Sequence, residues 1–201
     1  MAAVADVGAN CGQFSLLCRR CLPSASIHAF EPLWRPAETF RRLFATDTET
    51  RLIQAAIGAE SAEREMHVSK SADSSSLLPI GGTQSTIFPG TGESHREPVR
   101  VAPLDAFVRR DDLPERSLLK IDVQGYELKV LNGCETLMDR FAAVYVECSF
   151  VELYEGQALA HEVIDWLHGR GFYLDRIGLM TFDKHGGSVQ GDFLFLRRDA
   201  S

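Results

Sequence analysis

A chain of 201 residues, 45% of them hydrophobic and 24% charged, can bury one sizeable core, and this composition excludes an intrinsically disordered chain. The formal net charge of -7, from 21 basic and 28 acidic residues, leaves no cationic surplus to release counterions from a nucleic-acid backbone, so neither DNA nor RNA is expected as a partner. No segment approaches the roughly 18 apolar residues of a membrane span, and Met1 opens into Ala-Ala-Val-Ala-Asp-Val without a basic region, so neither a membrane nor export is expected.

Taken in chain order, Ala2 to Val7 is a short apolar run that ends at Gly8, and Gly12 to Arg20 carries Phe14, Leu17 and Cys18 at helical spacing: strand, glycine turn, helix. Ser26 to Phe30 reads as a second strand, Pro36 to Phe44 as a helix and Arg51 to Ile57 as a third strand, and this alternation implies a parallel sheet. Gly58 to Pro98 is rich in Ser, Gly, Thr and Pro and reads as a loop-rich insertion in a single domain covering residues 1–201. The α/β scheme then resumes, with strands at Leu118 to Val123, Ala142 to Cys148, Gly169 to Leu174 and Phe193 to Leu196, and helices at Glu127 to Arg140 and Leu159 to Arg170. The last two strands are expected to form an antiparallel pair around a glycine-containing excursion, Asp175 to Gln190.

The cysteines Cys11, Cys18, Cys21, Cys134 and Cys148 include one CxxC pair, Cys18 and Cys21, with no second pair to complete a zinc site. They read as packing thiols of a protein in the reducing cytoplasm, and no metal site is expected.

Asp6-Val7-Gly8-Ala9-Asn10-Cys11-Gly12 lies between a strand and a helix, where an open parallel sheet binds nucleotides, and Gly8 and Gly12 permit close backbone approach. A dinucleotide fingerprint is not matched, because Asn10 stands at its second glycine position. Asp6 stands at the mouth of the turn and no Lys or Arg precedes Arg19, which disfavours a pyrophosphate. S-adenosylmethionine fits the charge pattern better: its carboxylate can meet helix amides while its ammonium is drawn toward Asp6, directly or through water. Glu31 ends the second strand about 20 residues after Gly12, where an acid accepts hydrogen bonds from both ribose hydroxyls. The alternative is a plain tight turn at Gly8 and Gly12 with Glu31 as a solvated strand-end acid.

Asp6 to Gly12, Phe30-Glu31-Pro32, Lys120-Ile121-Asp122-Val123-Gln124-Gly125-Tyr126-Glu127 and Val130-Leu131-Asn132-Gly133 together resemble the FkbM-type methyltransferases over nearly the whole chain. The resemblance implies the class I methyltransferase fold, a Rossmann-like, doubly wound, mostly parallel α/β sheet of seven strands with the last antiparallel. It also implies O-methylation of sugars, polyketides or similar metabolites, so that the partner is a small-molecule or glycan acceptor. Gln124 stands where the family commonly has Glu, and Ser76 falls where it often has Ser-Ser-Leu, a position that lines cofactor or acceptor.

Methyl transfer needs alignment more than chemistry from the protein, but a hydroxyl nucleophile must lose a proton. Asp122, at the same carboxyl edge as Asp6 and Glu31, is the first candidate to accept it and belongs to the cofactor site as well. Glu147 and His161 are further candidates, although Glu147 can instead pair with Lys120 across adjacent strands, and His28 reads as a packed residue. Glu127 serves either catalysis or the helix dipole. Two competing functions remain in view: a nicotinamide-dependent oxidoreductase and a methyltransferase-like domain that binds without turnover.

Overall fold

The computed structural model describes residues 1–198. Seven strands form one sheet in the order β3-β2-β1-β7-β8-β10-β9. Their ranges are β1 Ala3–Val7, β2 Ser26–Phe30, β3 Thr50–Ile53, β7 Ser117–Ile121, β8 Phe141–Ser149, β9 Phe172–Phe182 and β10 Ser188–Arg197. β1 pairs in parallel with β2 and β7, and β2 pairs in parallel with β3, whereas β10 runs antiparallel to both β8 and β9. This is the doubly wound sheet of a class I methyltransferase, with its last strand reversed. The chain moves outward from β1 to β3 and then returns to the other side of β1, so the switch point lies between β1 and β7.

The chain divides into two compact units. One comprises Met1–Arg64, Val99–Asp122 and Lys129–Ala142, and it contains β1, β2, β3 and β7. β1 is buried along its whole length, as a central parallel strand covered on both faces must be. Helices α1 Gln13–Cys21 and α2 Trp34–Leu43 close a core of Val4, Ala9, Cys18, Ala25, Ile27, Ala29, Phe40 and Phe44. The buried positions of α1 are Ser15 and Cys18, with Phe14 partly buried. Leu17, expected on the inner face, is 55% exposed, because Ser15 takes the inner place to bond Asp6. The Phe40 and Phe44 rings stack at 4.6 Å, and a Cβ on Gly12 would stand 2.8 Å from one and 3.0 Å from the other, so this glycine is required by packing.

The third expected strand is broken. After β3 the chain turns at Gln54 and Ala55, and β4 Ala56–Ile57 pairs with β6 Glu93–Ala102 in a separate three-stranded sheet ordered β4-β6-β5, with β5 at Ala62–Ser69. Residues 58–98 are therefore not mainly loop: they hold β5, the short helix α3 Gly82–Ile87 and most of β6. The helix expected to run from Glu127 to Arg140 ends at Gly133 as α4 Glu127–Gly133 and continues as a 3-10 turn at Glu135–Arg140. A Cβ at Gly133 would lie 2.4 Å from the Gly58 carbonyl oxygen, so the two backbones touch here. Gly133→Ala should cost about 3 kcal/mol or more, since backbone cannot yield as a side-chain tip can, with a fall in the urea midpoint as the readout.

The second unit comprises Glu65–Pro98, Val123–Leu128 and Ala143–Ser201. It contains β9 and β10, helix α5 Ala160–His168 and a small core of Leu153, Tyr154 and Val189 with Leu78, Ile80, Ile87, Phe88 and Val151 packed against it. The expected antiparallel pair is present, but β9 is longer than its sequence signal and largely exposed from Leu174 to Leu179. Among the described residues no helix is long and apolar enough to cross a membrane.

Candidate functional site

In the first unit the carboxyl ends of β1, β2 and β7 converge on the glycine turn. Gly8, Asn10 and Gly12 all have positive φ, at 77°, 46° and 97°. Asparagine enters the left-handed region more readily than most residues, so Asn10 does the conformational work of a glycine without matching a glycine motif. The turn is tied to β2 by Gly8 and Ala9 N–H groups donating to the Phe30 carbonyl at 3.0 and 2.9 Å.

Glu31 fastens the same turn with its side chain. Its Oε2 accepts from the Asn10 N–H at 3.0 Å and its Oε1 from the Leu33 N–H at 2.8 Å, and the residue is buried, at 6% exposure. Burial pushes its carboxyl up to about 7, and Asp6 adds to the push. The Leu33 and Asn10 N–H groups and the Lys120 ammonium act the other way.

Asp6 is not open at the mouth of the turn. It is fully buried, its Oδ2 accepts from Ser15 Oγ at 2.6 Å, and its Oδ1 lies 3.2 Å from Lys120 Nζ. Sequence reading looked for a cation before Arg19 and missed this one, which arrives from β7: Asp6 and Lys120 are direct partners in the parallel register, so their side chains share a face. Lys120 Nζ also donates to the Gly8 carbonyl at 2.7 Å and sits 3.9 Å from Asp122 Oδ2. Asp122 follows β7, extends its ladder through an N–H bond to the Val7 carbonyl at 3.1 Å, and keeps 43% of its side chain exposed. Asp6, Gly8, Asn10, Gly12, Glu31 and Asp122 thus gather around one turn, with Lys120 between two of the acids.

The second unit holds the remaining candidates in a network centred on Gln124. Gln124 and Gly125 both adopt left-handed φ, at 57° and 95°, and the Glu127 carboxylate accepts from the Gly125 N–H at 2.9 Å, which shows a turn-closing role for that acid. Gln124 Nε2 donates to Glu147 Oε2 at 2.8 Å, Gln190 Nε2 donates to Glu147 Oε1 at 2.8 Å, and the Tyr154 hydroxyl lies 2.9 Å from Gln124 Oε1. An amide at 124 is thereby explained: a glutamate would set its carboxylate against that of Glu147. Ser76 is fully buried, donating Oγ to the Gln124 carbonyl at 2.6 Å and accepting from the Leu78 N–H at 3.0 Å. His161 is exposed in the first turn of α5.

Sequence reasoning also passed over His67. This buried residue bridges Ser76 through paired backbone hydrogen bonds, and its Nδ1 lies 2.6 Å from Glu93 Oε2. Its signal was hidden in the stretch taken for loop. His28, half-buried, has Nε2 3.3 Å from the Asp112 carbonyl, and burial lowers its proton affinity. Of the cysteines, Cys18, Cys134 and Cys148 are buried and Cys21 is exposed. Burial pushes the Cys18 thiol up to about 12 and those of Cys134 and Cys148 higher.

A seven-stranded sheet with this order and an acid-lined glycine turn at its switch point defines a methyltransferase of class I. The sequence matches the methyltransferase FkbM domain over residues 6–174, and the chain belongs to that family. It is 28% identical over 172 residues to the 2-O-methyltransferase NoeI of Sinorhizobium fredii (strain NBRC 101917 / NGR234), covering 82% of this chain and 70% of that protein. Two solved structures share the fold at low identity. The precorrin-6y C5,15-methyltransferase of Geobacter metallireducens GS-15 has a TM-score of 0.51 at 10% identity, over 98% of this chain and 80% of its own. The Streptococcus pneumoniae protein Sp1610, a putative tRNA (m1A22) methyltransferase in complex with S-adenosyl-L-methionine, has a TM-score of 0.53 at 11% identity, over all of this chain and 69% of its own.

Proposed function

We propose that this protein transfers a methyl group from S-adenosylmethionine to a hydroxyl oxygen of a small molecule or glycan. The observation that carries the cofactor is Glu31. Each of its oxygens accepts one backbone N–H, and a carboxylate offers about four acceptor positions, so each oxygen keeps capacity for one hydroxyl of a vicinal diol. The name of the NoeI relative supports oxygen as the nucleophile. Asp6 contributes as a buried brace of the turn, with its charge already balanced by Lys120.

The cofactor, when bound, supplies an electron-poor methyl carbon and a neutral thioether leaving group. The chain then has to hold the acceptor and take its proton. Asp122, the half-exposed acid at the end of β7, fills that role in this proposal.

Calorimetry with S-adenosylmethionine, S-adenosylhomocysteine and NAD tests the assignment. Binding of both adenosyl-sulfur compounds with no response to NAD is expected. Tight NAD binding and silence toward the other two would make the chain a nicotinamide-binding protein instead.

A further inference from the structure

We propose that Lys120 is a positioning residue of the cofactor site: its ammonium fixes the glycine turn through the Gly8 carbonyl and against Asp6, beside Glu31. The inference rests on the cofactor reading above.

A lysine inside an apolar parallel strand is unfavourable unless its charge is met, and Lys120 is only 5% exposed. Its amine donates to the Gly8 carbonyl at 2.7 Å and lies in ion-pair range of two acids, 3.2 Å from Asp6 Oδ1 and 3.9 Å from Asp122 Oδ2 at the rim. The first of these holds the peptide that opens the glycine turn. That carbonyl belongs to a residue at φ 77°, outside any helix or strand, so a side chain must satisfy it if water does not.

The same ammonium acts on Glu31 through space. The charged groups facing Glu31 are Asp6 from β1 and Lys120 from β7, alongside the Asn10 N–H of the turn and the Leu33 N–H before α2. Asp6 disfavours the ionised form and Lys120 favours it. Only the ionised form offers all its lone pairs to two hydroxyl donors, because a protonated carboxyl becomes a donor itself. Lys120 therefore links the shape of the turn to the proton on the acid beside it, and ligand binding at Glu31 releases a proton near neutral pH.

The experiment is calorimetric titration of S-adenosylhomocysteine from pH 6 to 9 into the wild-type chain, Lys120→Met and the double variant Lys120→Met/Asp6→Asn, with a thermal melt of each. In the wild type the affinity should rise with pH through about 7. Lys120→Met should bind at least about tenfold more weakly at pH 7, with the midpoint of the rise moved upward. The double variant removes both buried charges together and, if the single variant does not fold, carries the measurement through affinity alone, which should stay about tenfold or more below wild type because the Gly8 carbonyl has lost its donor. A purely structural lysine would lower the melting temperature and leave the pH midpoint in place. That result, or wild-type affinity in a folded variant, overturns the proposal. Absence of binding by the wild type would instead overturn the cofactor reading, and this inference with it.

Discussion

Glu31→Ala should weaken S-adenosylhomocysteine binding by about a hundredfold or more. Two hydroxyl donors to a buried carboxylate are each worth roughly 1.5–3 kcal/mol, and the substitution also frees the Asn10 and Leu33 N–H groups that shape the turn. Glu31→Gln separates these effects, since it keeps an acceptor for the backbone while losing the charge. The pH dependence has a definite sign. The folded chain raises the Glu31 carboxyl from its ordinary 4.5 to about 7, so the proton is held more tightly in the folded than in the unfolded state. Stability from this group is complete below 4.5 and is lost as pH rises through about 7, amounting to roughly 3 kcal/mol at about 1.4 kcal/mol per tenfold change in proton affinity. Cofactor affinity should run the opposite way, weakest at low pH. Melts of the unliganded wild type and Glu31→Gln between pH 4.5 and 8 check this. Parallel curves would mean that Glu31 does not titrate in that window.

Asp122→Asn should leave cofactor affinity within about tenfold and slow methyl transfer by about a hundredfold or more, the scale of a positioned acid or base. The contrast with Glu31 follows from placement. Asp122 is nearly half exposed and meets Lys120 only at 3.9 Å, so little of the fold depends on its charge. Single-turnover rates with a cognate hydroxyl acceptor, measured beside calorimetric affinities, separate the two effects. Unchanged transfer by Asp122→Asn would remove it from proton acceptance.

The parallel half of the sheet was legible because its strands are short, mostly apolar runs alternating with helices: Ser26 to Phe30 is β2 to the residue. Where only one face is covered the signal fades. β5 opens with Glu63, Arg64 and Glu65 exposed, and β9 is exposed across its middle, so neither announces itself by composition. The break between β3 and β4 was invisible for another reason, since both halves are apolar and only a pairing partner distant in sequence, Val101, draws the second away. The close approach of Gly133 to the Gly58 backbone likewise joins residues far apart in sequence.

The site divides along the same line. Glu31 and the glycine turn were readable because a short local segment encodes them, and Asn10 shows that the required backbone shape can be met without glycine. Asp6 was recognised as an acid in the right place but read with the wrong electrostatics, because its counter-charge comes from β7 and depends on a register that no local pattern reveals. Gln124 gains its meaning in the same way, from a carboxylate on β8 and a phenol beyond it.

The uneven burial of the five thiols offers a handle for spectroscopy. Cys21 alone is exposed, at the end of α1, and Cys11 is half-buried within the glycine turn. A maleimide dye should couple first at Cys21, while ligand occupancy should shield Cys11 from a slower second alkylation. The ratio of the two adducts in a mass spectrum would then count filled sites without any knowledge of what the enzyme methylates.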